Sequence, residues 1–92
     1  MAERVTVGGV DAPFDKDKLG DMRFVLMLGD LDDSTLPDGE KLATVARLTR
    51  YLFGGERDSV IESLAKSKGG KLEPSEFSEW LAEYLAEVGA KN

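Results

Sequence analysis

Pro74-Ser75-Glu76-Phe77-Ser78-Glu79-Trp80-Leu81-Ala82-Glu83-Tyr84-Leu85-Ala86-Glu87-Val88 is the stretch on which the fold turns. Phe77, Trp80, Leu81, Tyr84, Leu85 and Val88 recur at i, i+3, i+4, i+7, i+8 and i+11, the spacing of one helix face. Glu76, Glu79, Glu83 and Glu87 fall off that stripe and face water. Pro74 stands in the first turn, where its missing N–H costs nothing. The pattern predicts a helix over 74–88 that packs a core through Trp80. Aromatics at this spacing belong to a core before they belong to an exposed contact patch.

Upstream of this helix, glycine pairs punctuate the chain. Gly69-Gly70 stops a helix expected over 56–66, which buries Val60, Ile61 and Leu64. Between the two, Lys71-Leu72-Glu73 reads as an extended piece able to bridge to an N-terminal strand. Gly54-Gly55 caps a longer helix that starts at an Asp38 N-cap. Its apolar positions are Leu42, Val45, Ala46, Thr49, Leu52 and Phe53, with Leu48 flanking. Asp30 to Gly39 is a break rich in turn formers. Before it lies a first helical segment, Lys18 to Leu31, opened or interrupted at Gly20-Asp21. Leu19, Met22, Leu26 and Gly29 share one stripe of it, and Phe24, Val25, Met27 and Leu28 fill most of the rest. Val5-Thr6-Val7-Gly8-Gly9-Val10 reads as a short hairpin or an extended arm. Asp11 to Lys18 reads as a polar linker anchored by Phe14.

The expected fold is therefore one mainly α domain over 1–92. It has about four helices and a short N-terminal β-hairpin or extended arm. Residues 1–17 form the arm and linker, 18–88 the helical body and 89–92 a frayed tail.

Composition narrows the function. With 41% hydrophobic and 33% charged residues, the 92-residue chain is too apolar to be disordered and too charged to be a membrane protein. No run approaches the roughly 20 apolar residues of a membrane span, and the first ten residues do not read as a signal peptide. Cysteine is absent, which favours the cytosol for a domain too small to dispense easily with disulfides outside it. Histidine is absent as well, so the commonest general base and the commonest transition-metal ligand are both missing. A net charge of −6 repels phosphate and speaks against nucleic acid.

No motif carries catalysis, a cofactor or a metal. Counted as an EF-hand from Asp30, the glycine position holds Thr35 and the closing glutamate position holds Lys41. The Gly70 to Glu76 segment keeps the glycine and the glutamate, but Ala65, Ser67 and Gly69 stand where carboxylates must bind the ion. Asp30, Asp32 and Asp33 sit in an exposed turn, without the desolvation that tunes a catalytic carboxylate. Ser59, Ser63 and Ser75 have no histidine to activate them. Gly69-Gly70-Lys71 lacks phosphate-loop spacing.

The first helical segment is the interface candidate. Its apolar content exceeds what one buried face requires, which leaves part of Met22, Phe24, Val25, Met27 and Leu28 for a protein partner or for self-association. An acidic nucleic-acid mimic is disfavoured because Lys16, Lys18, Arg23, Lys41, Arg47 and Arg50 interrupt the acids in sequence.

The order of parts resembles a known group. A Val-Thr-Val strand precedes Pro13-Phe14-Asp15 and Leu19-Gly20-Asp21-Met22. An apolar helix then ends in Leu28-Gly29-Asp30-Leu31-Asp32. Ala46-Arg47-Leu48-Thr49-Arg50-Tyr51-Leu52-Phe53-Gly54 leads to a Gly-Lys-Leu-x-Pro corner and an amphipathic helix with a Lys-Asn tail. This resembles the tail assembly chaperones of long-tailed (siphovirus-type) bacteriophages and prophages. The resemblance implies a helical, oligomerising protein of the host cytoplasm. It would bind the tape-measure protein and/or the tail tube protein during tail assembly and be missing from the mature virion. It also implies a longer product made by ribosomal frameshifting, for which Ala90-Lys91-Asn92 can be encoded with a slippery run of adenines. The alternative is a helical adaptor or regulator of a cytosolic bacterial complex.

Overall fold

A computed structural model describes residues 3–90. The chain starts as an antiparallel hairpin, β1 (Glu3–Val7) and β2 (Val10–Phe14), turning at Gly8-Gly9. Both glycines have positive φ, 57° and 81°, the conformation a two-residue hairpin turn needs and a side chain resists. Val5, Val7, Val10, Ala12 and Phe14 are all buried on one face, and Pro13, on the other face of β2, is buried too.

The expected linker at Asp11–Lys18 is thus half wrong, because Asp11–Phe14 is the second strand. In this register Pro13 costs the ladder nothing. Val7 pairs with Val10 across the two-residue turn and Arg4 pairs with Pro13. Counting outwards from a hydrogen-bonded Val7–Val10 pair puts Pro13 at a non-hydrogen-bonded site, where no N–H is required. Lys71–Glu73 adds no strand to this sheet among the described residues.

Four longer helices follow a one-turn α1 (Lys16–Leu19): α2 (Met22–Asp32), α3 (Asp38–Phe53), α4 (Arg57–Ser67) and α5 (Pro74–Ala90), with a 3-10 turn at Gly54–Glu56. The Gly20-Asp21 interruption is real. Gly20 caps α1, and the Asp21 carboxylate accepts the Arg23 N–H and starts α2. Pro37, not Asp38, is the N-cap of α3, and Asp38 is its first residue, where its charge favours the helix dipole. Gly69 and Gly70 close α4 by donating to the carbonyls of Lys66 (3.3 Å) and Ala65 (2.7 Å), a Schellman pair. Glu76 reaches back to the N–H of Glu73 (2.9 Å) and steadies the start of α5. That helix runs to Ala90, so it includes Gly89 and Ala90. Lys91 and Asn92, which carry the frameshift expectation, lie outside the described residues.

The core lies between hairpin and helices. Phe77, Trp80, Leu81, Tyr84 and Val88 of α5 meet the five hairpin residues, Phe24 of α2, Leu48, Leu52 and Phe53 of α3, and Val60 and Leu64 of α4. Two polar tips tie α5 to the hairpin. The Trp80 indole N–H donates to the Val7 carbonyl at 2.9 Å, and the Tyr84 hydroxyl donates to the Pro13 carbonyl at 2.9 Å. The latter satisfies a carbonyl that the ladder leaves facing away from β1. Phe53 meets the Tyr84 ring edge-on at 5.3 Å between centroids. On the outer face, Arg4 grips both carboxylate oxygens of Glu56 (2.8 and 3.0 Å), which fastens the hairpin to the α3–α4 corner.

Candidate protein-interaction site

Helix α2 rests on α3 and has apolar residues on both its sides. Phe24 enters the core at 7% exposure, while Met27, Leu28 and Leu31 are half-buried against it. The opposite side looks outward: Met22 is 63% exposed, Leu26 61% and Val25 49%. Successive Cβ directions 100° apart place these three on one ridge with Gly29.

Of the residues singled out in the sequence, Met22 and Val25 stand on the ridge, Met27 and Leu28 flank it, and Phe24 does not belong to it. Phe24 is a core residue, a correction to its place among the interface candidates. Leu26 takes its place. Sequence periodicity could not choose between the two apolar sides of α2, because neither is marked by a run of charges. The break at Gly20-Asp21 decides the matter by separating α2 from α1, so that Leu19 no longer fixes the stripe it seemed to share with Met22 and Leu26.

Each flank of the ridge opens into a depression. On the Leu28 side lies a groove of about 640 Å³ between α2, the first half of α3 and α5. Leu28, Leu31, Leu42, Val45, Phe77, Leu81 and Leu85 supply its apolar lining, and Asp32, Asp38, Lys41 and Ser78 its polar rim. Leu42 at the lip is 57% exposed. The sequence signal for this groove was present but divided, since Leu42 and Val45 were assigned to one stripe and Leu81 and Leu85 to another. On the Met27 side a shallower depression of about 380 Å³ is lined by Arg23, Leu26, Met27, Arg47 and Tyr51.

The two depressions differ in charge. The groove rim carries Asp32 and Asp38 with Lys41, while Glu83 and Glu87 of α5 line a separate depression beside Thr6, Val7 and Gly8. Around the smaller depression the basic groups dominate. Arg23 lies 5.6 Å from the centre of the Tyr51 ring, and Lys18 lies 5.5 Å from it and donates to the Tyr51 carbonyl at 2.8 Å. Asp21, held by two hydrogen bonds from the Arg23 guanidinium, has its carboxyl pushed down to about 2.

Among the described residues, no three or more Asp or Glu converge to hold an ion. Asp33, in the suspected calcium turn, spends one oxygen on the N–H and hydroxyl of Thr35, and these bonds lower its pKa. No helix among the described residues is long and apolar enough to cross a membrane. Compared with known proteins, the chain matches no family model, no curated protein and no solved structure.

Proposed function

We propose that this is a binding protein of the host cytoplasm, a phage tail assembly chaperone that holds an apolar helical segment of the tape-measure protein while the tail is built. The observation that carries the binding role is the ridge of Met22, Val25 and Leu26 beside an apolar groove. Soluble monomers avoid joined apolar surface of this kind unless something covers it. A groove between helices is also the usual receptor for an amphipathic helix. The assignment to tail assembly comes from the order of sequence parts, and the unanchored ridge agrees with it. No cofactor, small-molecule substrate, nucleic acid or membrane enters the proposal.

The test is a solubility experiment with the tape-measure protein encoded near this gene. Co-expression should keep that protein soluble and yield a complex on size exclusion. Leu26→Asp should abolish the complex while leaving the far-ultraviolet spectrum and melting temperature of the free protein unchanged. A tape-measure protein that aggregates equally with and without this chain overturns the assignment.

A further inference from the structure

We infer that the outer edge of β1 docks an extended basic segment of another protein, which pairs with it as a third strand and lays a lysine or arginine into the depression between β1 and α5. This edge is a different surface from the α2 ridge and its groove, so the inference does not rest on the chaperone reading.

The two edges of the hairpin are finished differently. Counted from the hydrogen-bonded Val7–Val10 pair, Arg4 and Thr6 of β1 and Asp11 and Pro13 of β2 turn their backbone groups outwards. On β2 that edge is blunted. Pro13 has no N–H, and its carbonyl accepts the Tyr84 hydroxyl. On β1 the outward groups stay free. Among the described residues, no hydrogen bond reaches the N–H or carbonyl of Arg4 or Thr6 from outside the hairpin, and both residues are exposed. Two donors and two acceptors in a row are what a peptide uses to extend a sheet.

Charge names the occupant. Beside this edge lies a depression of about 370 Å³, lined by Thr6, Val7, Gly8, Glu83, Ala86 and Glu87. Glu83 and Glu87 stand one helical turn apart with the small Ala86 beside them. Both acids are exposed, and among the described residues neither forms an ion pair. No base lines the depression. Arg4, the one base of β1, is held on the outer face by Asp11 and Glu56. Side chains of an added strand alternate between the faces of the sheet. One on the core face comes down beside α5, where a cation can lay its stem over Ala86 and its charge between Glu83 and Glu87. A second copy paired edge to edge brings its own Glu83 and Glu87 to the same seam, and like charge opposes it.

The probe is a fluorescent peptide of about ten residues that alternates lysine and threonine, so that one face of the strand is basic. One control has glutamate for lysine. Two others carry N-methyl groups on alternate amides, one set for each edge of the strand. Anisotropy with the intact protein should show the lysine peptide binding at least about tenfold more tightly than the glutamate one. A strand pairs along one edge, so one methylated peptide should match the parent and the other should bind at least about tenfold more weakly. Glu83→Gln with Glu87→Gln should weaken the lysine peptide by a similar factor. Thr6→Pro blunts β1 as Pro13 blunts β2 and should abolish binding. In the complex, hydrogen exchange at the Arg4 and Thr6 amides should slow.

Equal binding of the lysine and glutamate peptides overturns the inference, because charge then selects nothing. So does equal binding of the parent and both methylated peptides, or unchanged exchange at Arg4 and Thr6, because no strand has then been added. These readouts decide the matter even if Thr6→Pro fails to fold. A dimer of the free protein with the Arg4 and Thr6 amides already protected also overturns it, by giving the edge to a second copy.

Discussion

Helices α5 and α2 are both rich in apolar residues, yet the fold uses them in opposite ways. In α5 every large aromatic turns inward, four glutamates turn outward, and two side-chain hydrogen bonds lock the helix to the hairpin. In α2 only Phe24 is fully buried, and the outward ridge is as apolar as the inward side. An apolar residue stabilises the monomer only where the fold removes it from water. The surplus in α2 is therefore free to act elsewhere, and the contrast between the helices separates what holds the protein together from what it offers to a partner.

The most severe way to probe this contrast is to truncate the centre of α5. Trp80→Ala should cost roughly 3–5 kcal/mol, a large share of the 5–15 kcal/mol typical of a domain. Leu26→Ala removes a large side chain from α2 at little cost, within about 0.5 kcal/mol. Urea melts of the two variants check this directly, and similar midpoints for both would erase the distinction.

A charge scan along α2 sharpens it. Phe24→Asp puts a carboxylate into the core beside α3 and should unfold the domain or cost more than about 3 kcal/mol. Leu26→Asp, two residues away, should fold normally and lose partner binding. Circular dichroism distinguishes them, and a folded Phe24→Asp would mean that the face assignment of α2 is inverted.

Tyr84 tests how the hairpin is held. Tyr84→Phe leaves the Pro13 carbonyl buried without its donor and should cost about 1–2 kcal/mol. Burial also pushes the Tyr84 hydroxyl up to about 12 from its usual 10. The unfolded chain therefore ionises first, so this contribution is full below about pH 10 and is lost as pH rises towards 12. The wild type should lose stability over that window and Tyr84→Phe should lose less, as read from melting temperatures at successive pH values.

These residues also show what the sequence made legible. The α5 stripe was readable because its two faces differ in chemistry. The same holds for the glycine stops, whose reason is local: Gly54, Gly69 and Gly70 all adopt positive φ. The second strand was not readable, since Pro13 and the charges around it mimic a linker. Only pairing with β1 shows that the proline sits where no donor is needed. The exposed ridge of α2 was legible in kind and not in residue: surplus apolarity announced a surface, but a helix apolar on both sides gives no phase. The groove needs residues from three helices, and no periodicity within one segment predicts that they meet.

The smallest expected effect concerns the ends of the two regions in acid. Asp21 caps α2 and its pKa is lowered to about 2, first by the hydrogen bonds from the Arg23 side chain and then by the Arg23 backbone N–H. Glu56 is lowered by the Arg4 hydrogen bonds that fasten the hairpin. A carboxylate depressed in the folded state stabilises it above its unfolded pKa near 4 and loses that contribution as pH falls through the folded value. Both pairs are exposed to solvent, so salt screens them and the loss is modest. Its location is what matters. Helix α5 is held to the hairpin by the neutral Trp80 and Tyr84 donors, and its carboxylate contact, Glu76 on the Glu73 N–H, lies at its first turn. Between about pH 5 and pH 2, amide protection should therefore fall first at the start of α2 and later in α5. Asp21→Asn keeps a capping acceptor but removes the titrating charge, so it should flatten the α2 response. Hydrogen exchange resolved by residue decides the point. If both helices lose protection together at every pH, α2 is not the separately held element that its exposed ridge requires.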